Sequence, residues 1–231
     1  MHSETPITPR ATEANYAHHV PCEVAVFDLD GTLTVRDAVV PFLLKAGGFR
    51  RAALKAPKMV FPLMRAWIGR DRDRAKSLAT SVVLSGLSMQ KIESAAASIS
   101  NKITSGWMRE DVLARLRWHQ SAGHRTVIVS ASYDNYVKLV GEALGVDHVI
   151  ATEIAFDESG SCTGELVGGN CRGQAKADRL TKYLSECGID CSISWCYGDS
   201  SGDHAMMELA RNAVMVRAAD IEQAPVEEVA Q

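Results

Sequence analysis

Short apolar runs of strand length recur along the chain, separated by longer segments of helical composition. The candidate strands occupy residues 23–29, 126–129, 147–151, 192–196 and 213–216. Continuous apolar runs of this length are typical of strands covered on both faces, as in a parallel sheet. Helices are predicted in the intervals, over 132–145, 175–184 and 203–211. The alternation predicts an α/β fold, a doubly wound parallel sheet of the Rossmann-like type.

One pair of runs has a different character. Residues 154–156 and 163–167 flank a polar segment of Asp, Glu, Ser and Gly at 157–161. Two short apolar runs joined by such residues are typical of a hairpin. A hairpin is therefore predicted after the third strand.

The segment from residue 37 to residue 120 breaks the alternation. Leu, Ala, Met, Lys and Arg dominate it, and Gly and Pro divide it into several candidate helices. Because it follows the first strand, we predict a helical cap inserted into the sheet domain. The predicted organisation is a flexible leader over 1–20, a core built from 21–36 and 121–231, and the cap over 37–120.

Charge and cysteine content narrow the class of protein. A net charge of −3 gives no overall attraction to a polyanion, and no nucleic acid is expected as a partner. The six cysteines form no CxxC pair and have no histidine at zinc-ligand spacing, which predicts reduced thiols.

The first 20 residues lack the apolar run of a signal peptide, and no stretch has the roughly 18 apolar residues of a spanning helix. A cytoplasmic protein is predicted.

The first candidate strand leads into the sequence FDLDGT, which places two carboxylates at its end. Asp28 and Asp30 lie two residues apart, and Gly31 then allows the backbone to turn with its N–H groups toward an anion. An aspartate can act as a covalent nucleophile in aspartyl-phosphate chemistry. A second carboxylate can protonate the leaving oxygen and later deprotonate water.

Three further polar features follow other elements. Ser130 ends the strand at 126–129, and its hydroxyl can donate to a phosphate oxygen. Lys176 opens a helix and can neutralise charge on a phosphoryl group. Asp199 and Asp203 follow the strand at 192–196.

These features are predicted to converge, because ligands bind at the carboxyl ends of the strands in open parallel sheets. Four carboxylates in one place would repel one another unless a cation were present. Hard oxygen ligands favour Mg²⁺. The sequence therefore predicts a magnesium ion between Asp28, Asp199 and a substrate phosphate.

Four segments resemble the motifs of the haloacid dehalogenase superfamily: FDLDGTLT at 27–34, VIVSAS at 127–132, Lys176, and GDSSGD at 198–203. The stretch 151–176 further resembles the branch that contains phosphoserine phosphatase, subfamily IB. The helical insertion matches the cap position of that branch. The resemblance covers about residues 23–216.

The resemblance implies a magnesium-dependent phosphatase with Asp28 as nucleophile and Asp30 as acid and base. It implies metal binding by four aspartates, namely Asp28, Asp30 through its main-chain carbonyl, Asp199 and Asp203. It implies phosphate binding by Gly31, Thr32, Ser130, Ala131 and Lys176. Asp30 argues against the dehalogenase branch, whose members lack this second acid.

Two positions argue against phosphoserine as the substrate. Asp37 stands where phosphoserine phosphatase carries a longer glutamate that reads the substrate amine. Phosphoserine phosphatase also carries a cap arginine that binds the substrate carboxylate, and the best ungapped match places Ser81 at that position. A serine cannot replace a bidentate guanidinium. Three nearby arginines are candidates to compensate: Arg70, Arg72 and Arg74. Phosphoserine stays an alternative.

The cap also carries a charge asymmetry. Ten basic and two acidic residues lie between Lys45 and Lys76, so this segment has a net charge of +8 and the rest of the chain −11. Bulky apolar residues at 59–64 and Trp67 are interleaved with them. This composition suits an anionic membrane surface. It leads to the hypothesis that the protein contacts the inner membrane peripherally and that its substrate is a phospholipid. The alternative is a cap with a solvated basic face and a small soluble phosphate ester.

Three rival classes share parts of this pattern. A phosphoryl-accepting signalling module also uses aspartates, a hydroxyl and a lysine, but it has no cap and needs no Asp30. A phosphotransferase would use the same aspartyl intermediate and differ only in the access of water under the cap. A silent binding module is disfavoured because all four motifs are intact.

Overall fold

The computed structural model describes residues 23–48, 72–187 and 192–216, and these form a six-stranded sheet with helices on both faces. The strands are β1 (Glu23–Phe27), β2 (Arg125–Tyr133), β3 (His148–Phe156), β4 (Cys162–Val167), β5 (Ser192–Gly198) and β6 (Asn212–Met215). Their order in the sheet is β4-β3-β2-β1-β5-β6. All neighbouring pairs are parallel except β3 and β4, which are antiparallel. The predicted fold is confirmed, and the predicted hairpin forms one edge.

Seven helices are described in these residues: α1 (Val39–Gly47), α2 (Arg72–Leu84), α3 (Met89–Gly106), α4 (Glu110–Ser121), α5 (Asp134–Leu144), α6 (Gln174–Glu186) and α7 (His204–Met207). The first four lie between β1 and β2, where the helical insertion was expected. The boundaries of leader, cap and core stay a prediction. The leader, the apolar stretch at 59–64 and Trp67 lie outside the described residues.

The sheet separates two apolar clusters, and the pleat of β1 shows why. Ala25 and Phe27 point into a cluster with residues of α1 to α5, whereas Val24 and Val26 point into a cluster with residues of α6 and α7. Side chains of a strand alternate between faces, so a strand buried on both sides must be apolar throughout. This accounts for the continuous apolar run that predicted β1.

Three predicted boundaries differ from the structure by more than two residues. Residues 147–151 and 154–156 belong to a single strand, β3. Strand β2 continues to Tyr133, so Ser132 lies in the strand, and α5 begins after Tyr133 without a side-chain cap. Helix α7 ends at Met207 instead of residue 211, because the chain turns back to the sheet and the N–H of Arg211 donates to the carbonyl of Ile193 at 3.0 Å.

Two further expectations concern cysteines and membranes. Cys162, Cys171, Cys187 and Cys196 are free thiols, while Cys22 and Cys191 lie outside the described residues. Within residues 23–48, 72–187 and 192–216, no helix combines the length and the apolar character that crossing a bilayer requires.

Candidate active site

The central position of β1 brings three loops together. Phe27, its last residue, pairs with Ile128 of β2 on one side and Tyr197 of β5 on the other. The chain continues this alignment, since the N–H of Asp28 donates to the carbonyl of Tyr197 at 2.9 Å. The loops after β1, β2 and β5 therefore leave the same edge of the sheet, as the strand-end argument predicted.

Lys176 links two of these loops by ion pairs. Its ammonium lies 2.5 Å from Oδ1 of Asp28 and 2.6 Å from Oδ1 of Asp203, and all three side chains are buried. Burial alone would lower the pKa of Lys176, but the two carboxylates raise it above its ordinary value. Lys176 is therefore a permanent cation that holds the two aspartates in place.

The carboxylates of Asp28, Asp199 and Asp203 form a compact oxygen cluster. One ligand atom from each lies within 4.8 Å of the other two. Burial, followed by the charge of Asp203, raises the pKa of Asp199. Lys176 forms ion pairs with Asp28 and Asp203 but not with Asp199, so its single positive charge does not balance the three carboxylates. An uncompensated carboxylate beside two others, with oxygen as the donor atom, fits a hard divalent cation such as Mg²⁺.

Gly31 permits a close approach of the first and last loops. Its φ is +85°, a conformation that L side chains rarely adopt. A β-carbon added there would lie 2.8 Å from Cγ of Asp199 and closer still to Oδ2. The absence of a side chain is what lets Asp199 sit next to the turn that follows Asp28.

Asp30 has surroundings that favour its protonated form. Its Oδ1 accepts a hydrogen bond from the N–H of Ala38 at 2.9 Å, and its Oδ2 accepts one from Ser132. Burial, followed by the charge of Asp37, raises its pKa to about 7, although the bond from Ser132 opposes the rise. Burial likewise raises the pKa of Asp28 to about 6, with Lys176 limiting the shift. Near neutral pH the two carboxylates are thus suited to different tasks, Asp28 ionised and Asp30 able to carry a proton.

Four of the five predicted phosphate-binding residues line one cavity, and the fifth, Thr32, is buried beside Asp28. Thr32 donates to Oδ2 of Asp28 at 3.2 Å, which orients that carboxylate. The Ser130 hydroxyl accepts from the N–H of Ser132 at 3.0 Å, and its own hydrogen has no acceptor among the described residues. Gly31, Ser130, Ala131 and Lys176 line the cavity, which has a volume of about 500 Å³.

Sequence reasoning missed several residues of this cavity. The sequence places Ser132 at the start of a predicted helix over 132–145, and Lys76 among the ten basic residues of the cap. Lys76 of α2 donates to the carbonyl of Ala131 and to Oδ1 of Asn170, the latter at 2.9 Å. Asn170 and Arg172 also line the cavity, and they belong to the 151–176 stretch that carried the resemblance. The feature of the sequence that could have indicated Asn170 and Arg172 is their position in a polar loop just before Lys176.

The four cap residues suggested for substrate binding are placed differently. Asp37 lines the cavity, and its Oδ1 accepts from the N–H of Val39 at the start of α1. Arg74 lines a second cavity of about 390 Å³ between α2 and β4, together with Ser81. Arg70 and the side chain of Arg72 lie outside the described residues.

Two known proteins are similar in sequence to most of this chain. The chain is 33% identical over 192 residues to the protein CicA of Caulobacter vibrioides, covering 83% of this chain and 84% of that one. It is 27% identical over 198 residues to the probable phosphatase Rv3661 of Mycobacterium tuberculosis, covering 83% and 68%.

Two solved structures share the fold. A protein of unknown function from Bordetella pertussis Tohama I has a TM-score of 0.72 at 22% identity, covering 85% of this chain and 90% of that one. A phospho-aspartyl intermediate analogue of phosphoserine phosphatase has a TM-score of 0.60 at 21% identity, covering 84% and 86%. Residues 25–208 match the family described as haloacid dehalogenase-like hydrolase. The chain belongs to the haloacid dehalogenase-like hydrolases, and its fold is that of the phosphoserine phosphatases.

Proposed function

We propose that this protein is a magnesium-dependent phosphatase that transfers the phosphoryl group of a phosphate monoester to Asp28 and then to water. The phosphatase class is supported by the hydrolase family and by relatives with phosphatase in their names. The observation that carries the proposal is the joint position of Asp28, Asp199 and Asp203 within 4.8 Å, with Lys176 on two of them.

In the first step, an oxygen of Asp28 attacks phosphorus. A bond forms between that oxygen and phosphorus, and the bond from phosphorus to the ester oxygen breaks. Protonated Asp30 gives its proton to the departing ester oxygen, which leaves as an alcohol. The raised pKa of Asp30, about 7, suits this task at neutral pH.

In the second step, Asp30 is a carboxylate and takes a proton from a water molecule. The oxygen of that water bonds to phosphorus, and the bond from phosphorus to Asp28 breaks. The products are inorganic phosphate and the free Asp28 carboxylate, with Asp30 protonated again. The same residue serves as acid and then as base, so each cycle ends with the starting protonation state.

Positioning is assigned to residues around these two. Lys176 and the hydroxyl of Ser130 would hold phosphoryl oxygens, with N–H groups of Gly31, Thr32 and Ala131. Asp28, Asp199, Asp203 and the main-chain carbonyl of Asp30 would hold Mg²⁺. The ion would supply positive charge to offset the charge that develops on the phosphoryl oxygens.

The test uses p-nitrophenyl phosphate with added Mg²⁺. We expect turnover that EDTA abolishes and Mg²⁺ restores. Asp28→Asn should lower turnover by about 10⁴-fold or more, because the nucleophile is gone, with an unchanged circular dichroism spectrum. Asp178→Asn, which removes an exposed carboxylate of α6, is the matched control and should retain activity. Turnover without any divalent metal would refute the mechanism.

Two alternatives share the chemistry. Phosphoserine phosphatase activity is supported by the similarity of the fold to a phosphoserine phosphatase structure and by a relative of that name. Phosphotransferase activity would follow if the aspartyl intermediate passed its phosphoryl group to an alcohol. Comparing released phosphate with phosphorylated acceptor in the presence of glycerol separates transfer from hydrolysis.

The lipid-phosphate substrate and the membrane contact also stay proposals. They rest on the basic and apolar composition of residues 45–76, most of which lie outside the described residues. A contact of this kind predicts sedimentation with vesicles of anionic lipid that weakens as salt is raised. Failure to sediment at low salt would remove it and leave a soluble phosphate ester as the substrate.

A further inference from the structure

Two cations on the wall of the catalytic cavity have no carboxylate partner in the described parts of the chain. They are Lys76 of α2 and Arg172, in the loop before α6. Lys176 differs from them, since two carboxylates compensate its charge. Burial lowers the pKa of Lys76 to about 7, so an anion beside it would stabilise the charged ammonium. Lys76 and Arg172 therefore offer unpaired donors on the cavity wall to an anion that a ligand would supply.

Lys76 is anchored next to the phosphate-binding loop by neutral groups. Its ammonium donates to the carbonyl of Ala131, the residue after Ser130, and to Oδ1 of Asn170. It also lies 4.4 Å from the centre of the Tyr133 ring. An ammonium has three hydrogens, and the two bonds to oxygen leave one for a ligand.

Asn170 positions Lys76 by joining the loop before α6 to the cap. Its amide nitrogen donates to Asp73 at 2.6 Å, and its amide oxygen also accepts from Thr152 at 3.0 Å. The ammonium is thus fixed between α2 and the sheet edge. A cation held in this way can select a ligand group by position.

Arg172 lies beside the loop that carries Asp199 and Asp203, the residues proposed to hold Mg²⁺. A β-carbon added at Gly202 would lie 3.1 Å from its Nε and 3.2 Å from its Cζ, so the guanidinium crosses Gly202, the residue before Asp203. Among the described residues this guanidinium makes no hydrogen bond and no ion pair. Its planar donors are suited to a carboxylate or a phosphate.

We propose that Lys76 and Arg172 form a second anion site, which selects phosphate monoesters whose leaving group carries a carboxylate or a second phosphate. This inference rests on the proposed function, since the leaving group must extend from a phosphoryl group bound at Asp28. One cation adjoins the loop of Ser130 and the other the loop of Asp203, so the two flank the phosphoryl position.

Matched pairs of esters test the selection. 3-Phosphoglycerate and glycerol 3-phosphate differ by a carboxylate in place of a hydroxymethyl group. Propane-1,3-diol bisphosphate and its monophosphate differ by a second phosphate. For the wild-type protein with Mg²⁺, we expect kcat/KM to be about tenfold or more higher, in at least one pair, for the ester that carries the additional anionic group. The pair that shows the preference identifies which anion the site accepts.

Variants then assign the preference to residues. Lys76→Met and Arg172→Gln should each lower the ratio of kcat/KM within the preferred pair by about tenfold. Lys182→Met, which removes an exposed lysine of α6 that pairs with Glu186, should leave the ratio unchanged. Two variants on different elements are used, so that one decides the question if the other does not fold.

The outcomes separate the two proposals. Ratios near one for both pairs, or variants that lower both members of a pair equally, would overturn the second anion site while ester hydrolysis still supports the phosphatase. No magnesium-dependent hydrolysis of any of these esters or of p-nitrophenyl phosphate would overturn the proposed function, and the anion site with it.

Discussion

The hydroxyl of Ser132 donates a hydrogen bond to the carboxylate of Asp30, across 102 residues of sequence. Ser132 in turn accepts from the hydroxyl of Tyr136 at 2.6 Å, and both Ser132 and Tyr136 are buried. The relay holds Asp30 in one orientation and favours its ionised form, against the burial that favours the protonated form. The balance places the pKa of this residue where one group can both give and take a proton.

The first prediction concerns the pH dependence of turnover. In the proposed mechanism phosphoryl transfer requires Asp30 to be protonated, and the pKa of Asp30 is raised to about 7. With an alkyl phosphate, whose leaving oxygen needs the proton, kcat/KM should fall about tenfold per pH unit above pH 7. p-Nitrophenyl phosphate has a leaving group that needs little assistance, and its kcat/KM should fall less. Identical profiles for the two esters would contradict the assignment of Asp30 as the acid.

The second prediction concerns Ser132→Ala. The lost hydrogen bond stabilised the ionised form of Asp30, so the pKa of Asp30 should rise and the falling limb of the profile should move to higher pH. A decrease in kcat of about tenfold is also expected, because Asp30 loses its fixed orientation. Ser121→Ala, at the solvent-exposed end of α4, serves as control. A lower rate with an unmoved profile would mean that Ser132 is merely structural.

The third prediction concerns Gly31→Ala. The new methyl group would collide with the Asp199 carboxylate, so the Mg²⁺ concentration for half-maximal activity should rise about tenfold or more. Gly160→Ala is the matched control, since Gly160 also has a positive φ, +75°, but nothing lies within 4 Å of the added carbon. Both variants carry backbone strain of about 1 kcal/mol. An equal effect of the two on the Mg²⁺ requirement would rule out the steric cause.

The fourth prediction concerns stability below neutral pH. His119 is fully buried, bonds to His124 and to the hydroxyl of Tyr197, and has a pKa lowered to about 3 by burial and then by His124 and Arg115. The unfolded chain takes up a proton near pH 6.5 and the folded chain does not, so acid favours unfolding. This contribution is absent above pH 6.5 and grows as the pH falls toward 3.

Urea unfolding at pH 7, 6 and 5 measures this effect. From His119 alone, the free energy of unfolding should fall by about 1.4 kcal/mol per pH unit below 6.5. His119→Gln keeps a polar side chain but cannot titrate, so its free energy of unfolding should fall less steeply. Parallel pH dependences for the two proteins would show that His119 does not stay neutral in the folded state.

The strand-end residues were predictable because their placement follows from local sequence. Asp28 comes directly after an apolar run, Asp199 directly after another, and parallel strands end at the same edge. The positions of cap residues relative to the site do not follow from local sequence in this way. The position of Lys76 depends on how α2 packs against the sheet, and its partners Ala131 and Asn170 lie 55 and 94 residues away.

Ser132 shows a different reason for a missed residue. The candidate strand ended at Val129 by apolar content, and a serine before a helix commonly caps it. In the structure β2 continues to Tyr133, and the hydroxyl of Ser132 bonds to Asp30 instead of to the helix backbone. The N-cap position of the helix is occupied by Tyr133, so Ser132 lies one residue before it and donates its hydroxyl hydrogen to Asp30. Only the tertiary structure reveals this partner, because Asp30 lies 102 residues away in the sequence.

The order of strands across the sheet has a consequence for biosynthesis. Strand β1 is synthesised about 170 residues before its neighbour β5. The aspartate at residue 28 therefore emerges from the ribosome long before the residues that complete its surroundings. A nascent chain stalled before residue 203 would display Asp28 without Lys176 and Asp203 both in place around it, so the proposed activity requires synthesis to continue past residue 203.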